Sequence, residues 1–169
     1  MLATPLITLL LASLMHTPPP AQAVNEDQVF VTRAMKDGQA EVDLATLAQK
    51  KAGSEQTRAL ASELRADHDR ANAELMAIAR RKGMAVDAEP GDELRQVTTK
   101  LTDLNGADFD RAYTDQMVQA HQRAMQLFED FSHTGSDPDL RAFAAKVLPT
   151  LRRHLDMAQS AHGTVPQTR

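Results

Sequence analysis

Four ionisable residues stand where an amphipathic helix would normally place an apolar one: Glu41, His68, His121 and His154. His68 lies within the series Leu60, Leu64, His68, Ala71, Leu75, Ile78, spaced in steps of three and four. That spacing is the inward stripe of a helix. Leucine would pack better there, so a histidine in the seam needs a partner. A buried, isolated carboxylate costs several kcal/mol or loses its charge. Imidazole costs less but still needs both nitrogens satisfied.

Two arrangements meet these demands. In one, the four side chains hydrogen-bond to one another, with Asp67, Asp110 and Tyr113 as helpers. In the other they hold a metal, since imidazole and carboxylate suit Zn, Fe, Mn or Cu. Nothing in the spacing is specific for a metal, so the hydrogen-bonded network stands first and the metal site second. Carboxylate di-iron sites pair Glu-x-x-His on two helices. Here Arg65, Val118 and Leu151 precede the three histidines by three, so a standard ferroxidase centre is not expected. Met117 and Met125 flank His121, and Met157 follows His154, a thioether-imidazole mixture that suits copper. Methionine on a helix face is more often packing, with Met117 on the inner stripe and Met125 expected to face outward. No phosphate-binding glycine loop and no Gly-x-Ser-x-Gly elbow is present.

These residues must be carried by helices. The chain has 169 residues, 42% hydrophobic and 25% charged, with a net charge of -4 and no cysteine. This composition fits one soluble domain without disulfides and offers no basic footprint for nucleic acid. Strand alternation is missing, and good helix formers abound. Long helices are predicted over 27–52, 55–82, 108–133 and 138–161, with a short crossover helix over 92–104. Gly53, Gly83, Gly135 and Gly163 mark the stops, and Ser54 and Asp137-Pro138 the starts. Gly38 lies on the inner side of the first helix, where it admits a neighbour closely. Pro149 removes one helical hydrogen bond and predicts a kink. The short junction after the first helix makes helices one and two antiparallel, whereas the long connection frees helix three from being antiparallel to helix two. Four amphipathic rods bury their stripes best as an all-α four-helix bundle. Each ionisable residue lies near mid-helix, apart from His154 further along its own, so the four can meet in the core.

Residues 1–23 carry no Lys, Arg, Asp or Glu, and 6–15 are mostly apolar. Ala21-Gln22-Ala23 gives a small-x-small cleavage pattern. This reads as a signal peptide cut after Ala23, which leaves a domain over 24–163, a flexible tail over 164–169, and no transmembrane span in the mature chain. The expected compartment is the periplasm.

An ordered set of motifs runs from Phe30 to Ala158. It comprises Phe30-Val31, Glu41-Val42-x-Leu44-Ala45-x-Leu47-Ala48-x-x-Lys51-Ala52, Asp67-His68-x-x-Ala71-x-x-Glu74-Leu75, Phe109-Asp110-x-x-Tyr113, Met117-Val118-x-x-His121, Leu127-Phe128-Glu129 and Leu148-Pro149-Thr150-Leu151-Arg152-x-His154-Leu155. The set resembles a bacterial exported family, domain of unknown function 4142, often labelled outer membrane protein. The resemblance implies a ferritin-like fold and an exported protein without assigned activity. Amphipathic helices cannot form a transmembrane barrel, so the outer-membrane label does not suit the sequence. At one position the sequence departs from the family: Ala120 precedes His121, where an aspartate is more typical. The first expectation is a non-catalytic envelope or stress-related binding protein, alone, as a homo-oligomer or with an envelope partner. The alternative is a metal-binding protein in storage, buffering or redox work, and a hydrolase or oxidase built on that metal comes third.

Overall fold

The computed structural model describes residues 25–165. The expected signal peptide and the residues after Val165 lie outside them. Among the described residues the protein is all-α, with no strand and a single isolated backbone bridge between Ala52 and Gly106. The helices are α1 (Glu26–Lys51), α2 (Glu55–Arg81), α3 (Asp92–Thr102), α4 (Gly106–Thr134) and α5 (Pro138–Thr164).

Local chemistry sets most boundaries. The Ser54 side chain accepts from the Thr57 amide at 3.1 Å, satisfying one of the free N–H groups of the first turn of α2. Asp137 does the same for Asp139 and Leu140 at the start of α5, ahead of Pro138. Gly83 takes a left-handed conformation just past α2. Two expectations fail. Gly163 does not stop α5, which runs through Thr164, and Val165 is buried, so the ordered chain passes the expected start of the tail. Helix α4 begins at Gly106 rather than at the expected 108, and the φ of 58° at Gly106 explains why glycine serves there.

The long helices form a ring in the order α1, α2, α5, α4, and the closest packing falls within the hairpins α1–α2 and α4–α5. Cross-pairs fix the directions. Lys146 with Glu74 and Lys82 with Asp137 show α5 antiparallel to α2. Phe30 stacked on Phe131, and Asp110 bonded to Gly53, show α4 antiparallel to α1. Helices α2 and α4 therefore run parallel on a diagonal, which the long connection carrying α3 permits. The core has two apolar clusters, one around Phe30, Phe128 and Phe143 and the other around Leu44, Leu60 and Phe109. At Gly38 an added Cβ would lie 2.2 Å from Asn72 Oδ1, so this glycine makes room for an α2 side chain.

Candidate metal centre

Between the two apolar clusters lies a polar layer. Glu41 on α1, His68 on α2, His121 on α4 and His154 on α5 are all buried. Each long helix thus supplies one group from the stripe that faces its neighbours. One ligand atom from each of the three histidines lies within 4.8 Å of the other two. Glu41 Oε2 is 2.7 Å from His68 Nε2 and 3.5 Å from His121 Nε2. The His68 contact has ion-pair distance but poor alignment, and neither atom completes a directed hydrogen bond.

The protons can be placed by elimination. His121 Nδ1 is 2.9 Å from the Met117 carbonyl, which can only accept. His154 Nε2 is 2.9 Å from Asp67 Oδ2. Burial would raise the Asp67 carboxyl, but His154 and Arg153 outweigh it and hold the group below its usual value, so it too accepts. Both outer nitrogens therefore carry hydrogens. The inner nitrogens, His121 Nε2 and His154 Nδ1, then face each other at 3.3 Å with lone pairs when both rings are neutral. Two lone pairs at that distance repel unless a cation, either a proton or a metal ion, lies between them. Two nitrogens on a tetrahedral ion with bonds of 2.0–2.1 Å are separated by roughly 3.3 Å.

The charges in the layer are coupled. Burial alone would raise the Glu41 carboxyl, but His121 and His68 hold it down to about 2, so it is ionised. Burial pushes His154 down to about 4 despite the Asp67 hydrogen bond, so it is a neutral base near pH 7. Burial also works against the His68 cation, but Glu41 more than compensates and raises its pKa.

The helpers separate. Asp67 belongs to the layer: it orients His154 and is held by Arg70 and Arg153, which reach it from the surface. A carboxylate that accepts the outer N–H of a ligating imidazole fixes its tautomer and raises its basicity. Asp110 acts elsewhere. It accepts from the Gly53 and Ser54 amides at 3.0 and 2.8 Å and so fastens the α1–α2 junction to α4. Tyr113 is fully buried with an unpartnered hydroxyl, and its pKa is pushed up by burial and by Glu41. Met117 and Met157 pack in the cluster around Leu44, and Met125, half-buried rather than outward, packs against the cluster around Phe30. Arg153 and Asn72 were not anticipated. Arg153 could have been found as the residue before His154 that faces Glu63 and Asp67, one turn apart on α2.

This is a helical domain with a buried carboxylate-imidazole centre. Its sequence matches the model of the family described as domain of unknown function (DUF4142) over residues 12–161, and the chain belongs to that family. No curated protein matches it in sequence. Among solved structures it is similar to a DUF305 fragment from Deinococcus radiodurans, with a TM-score of 0.72 at 18% identity, covering 86% of this chain and 99% of the other. It is also similar to CopM in its Cu(I)-bound form, with a TM-score of 0.68 at 20% identity, and in its Cu(II)-bound form, with a TM-score of 0.69 at 19% identity. Each CopM comparison covers 81% of this chain and 95% of the other. These likenesses concern the fold.

Proposed function

We propose that this protein binds a divalent transition-metal ion through Glu41, His68, His121 and His154, and that this reading ranks ahead of a purely structural network. The observation that carries it is the approach of His121 Nε2 to His154 Nδ1 at 3.3 Å, with the outer nitrogen of each ring already turned to an acceptor, so that a cation between the inner nitrogens satisfies both. A purely hydrogen-bonded network would need one of these two buried rings to carry a second proton. Three imidazoles and one carboxylate give a net charge of +1 with a divalent ion, and the donor set suits Cu(II) or Zn(II). The copper-bound forms of CopM, which share the fold, make copper the first ion to test.

The four-helix ring with a crossover element is read as ferritin-like. The role proposed is binding or buffering in the periplasm after export, with no catalytic step. Among the described residues no helix is long and apolar enough to cross a membrane, which fits this reading. The decisive experiment is metal analysis of the full chain isolated from the bacterial periplasm without chelators, followed by equilibrium dialysis with Cu(II), Zn(II), Mn(II) and Fe(II). One ion per chain is expected. Failure of every ion to bind would restore the hydrogen-bonded network.

A further inference from the structure

The two hairpins meet along two seams, and the seams differ. Along α2 and α5, Arg153 ties Glu63 to Asp67, and Lys146 bonds Glu74 at 2.8 Å. The groove beside these pairs touches none of the four central residues. Along α1 and α4 the helices stand apart around an open cleft of about 610 Å³, with Glu41, Leu44 and Met117 among its lining and Ala120 and Ala124 on its α4 wall. Its far edge is Gly91 and Leu94. The connection before that edge is strapped to α1 by Gln28, which donates to the Ala85 carbonyl at 2.8 Å and accepts from the Ala85 amide at 3.1 Å.

Behind the cleft a small inner cavity of about 30 Å³ reaches His68 and Asn72. Asp37 and Glu41 line both spaces. They are one helical turn apart on the same face of α1. Asp37 is half-buried on the outer side, and Glu41 is buried with an Oε2 that lacks a directed hydrogen bond. The rim charges largely cancel: Arg33 faces Asp37 at 3.8 Å, Lys36 bonds Asp87 at 2.6 Å, and exposed Arg123 and Glu93 have opposite signs. Inside this rim stands the Glu41 carboxylate, 2.7 Å from His68 Nε2, at the boundary between the cleft and the inner cavity.

We propose that the α1–α4 cleft is the port by which a divalent cation reaches His68, His121 and His154, with Asp37 receiving the ion and Glu41 passing it inward. The inference rests on the metal-binding reading and adds a route and a relay residue, Asp37, that lies outside the set of ligands. A port is a barrier shared by both directions, so obstructing it slows uptake and release together and leaves the equilibrium affinity near that of wild type.

The test is stopped-flow loading of the full chain with Cu(II), alongside equilibrium dialysis. Asp37→Asn removes the receiving charge without adding volume, and Ala120→Phe fills the cleft. Asp37→Asn leaves Arg33 unopposed at the mouth, so the rim turns positive and loading is expected to slow about tenfold, and Ala120→Phe is expected to slow it by obstruction. Ala77→Phe, in the groove between α2 and α5, is the control and loads at the wild-type rate. Asp37→Asn keeps the test informative should Ala120→Phe disturb folding. Wild-type loading rates in Asp37→Asn, with binding intact, would overturn the port. Absence of equilibrium binding in the wild type would instead overturn the metal-binding reading, and the port with it.

Discussion

Replacing His121 by leucine separates an ion site from a structural network. His121 Nε2 lies 3.3 Å from His154 Nδ1 and 3.5 Å from Glu41 Oε2, so it contributes two edges of the coordination figure. Leucine keeps much of the volume and offers no lone pair. At a free-ion concentration one hundred times Kd, binding stabilises the folded state by about 2.7 kcal/mol. The described domain spans 165 − 25 + 1 = 141 residues. At about 2.1 cal/mol/K per residue, its unfolding entropy at Tm is about 0.3 kcal/mol/K. The wild type should therefore melt about 9 °C higher with the ion than without it. A hundredfold weaker Kd reduces the stabilisation to about 0.4 kcal/mol, a shift of about 1 °C. The assay is a pair of calorimetric melts for each protein, with Cu(II) and with a chelator. Taking the difference removes any change that leucine makes to the metal-free fold. An ion-dependent shift in His121→Leu as large as in wild type would refute the assignment.

Other outcomes follow from the surrounding contacts. Asp67→Asn removes the charge that holds His154 and that Arg70 and Arg153 grip, so competition with a chromogenic chelator should show affinity about 10–100-fold weaker. Asp110→Ala frees the Gly53 and Ser54 amides, costing about 1–3 kcal/mol by urea unfolding while leaving the affinity for Cu(II) unchanged. Metal-free stability should fall in acid. His154 has a folded pKa of about 4 against 6.5 when free, so its contribution is complete above 6.5 and lost as pH falls from there to 4. Glu41, at about 2 against 4.5, adds a second loss from 4.5 downward. Melts of His154→Gln should lose the first decline and keep the second, and an unchanged profile would refute this account.

Much of the fold can be read from residue order because helices announce themselves locally. Leu60, Leu64 and Leu75 repeat at helical steps, and Ser54 and Asp137 cap where their side chains reach the next free amides. The four central residues could be picked out for a related reason: an ionisable side chain on an apolar stripe is anomalous whatever lies opposite. Asp110 shows where this reasoning ends. It sits near Phe109 and Tyr113 on α4, and nothing local tells that it faces the backbone of 53–54 rather than a histidine. The proton arrangement was equally out of reach, because it depends on the Met117 carbonyl and Asp67 lying behind the rings. The reach of α5 past Gly163 is tertiary as well, since Val165 is buried and Thr164 bonds Gln56 at 2.7 Å.

The α1–α2 hairpin brings Glu41 and His68, and the α4–α5 hairpin brings His121 and His154. Each half alone holds two donors, too few to retain an ion against water. A bound metal would act as a rivet across the join, so that prying the halves apart and letting the ion go become one event. Occupancy would then report whether the molecule is whole, and any partner that wedges the halves open would also empty it.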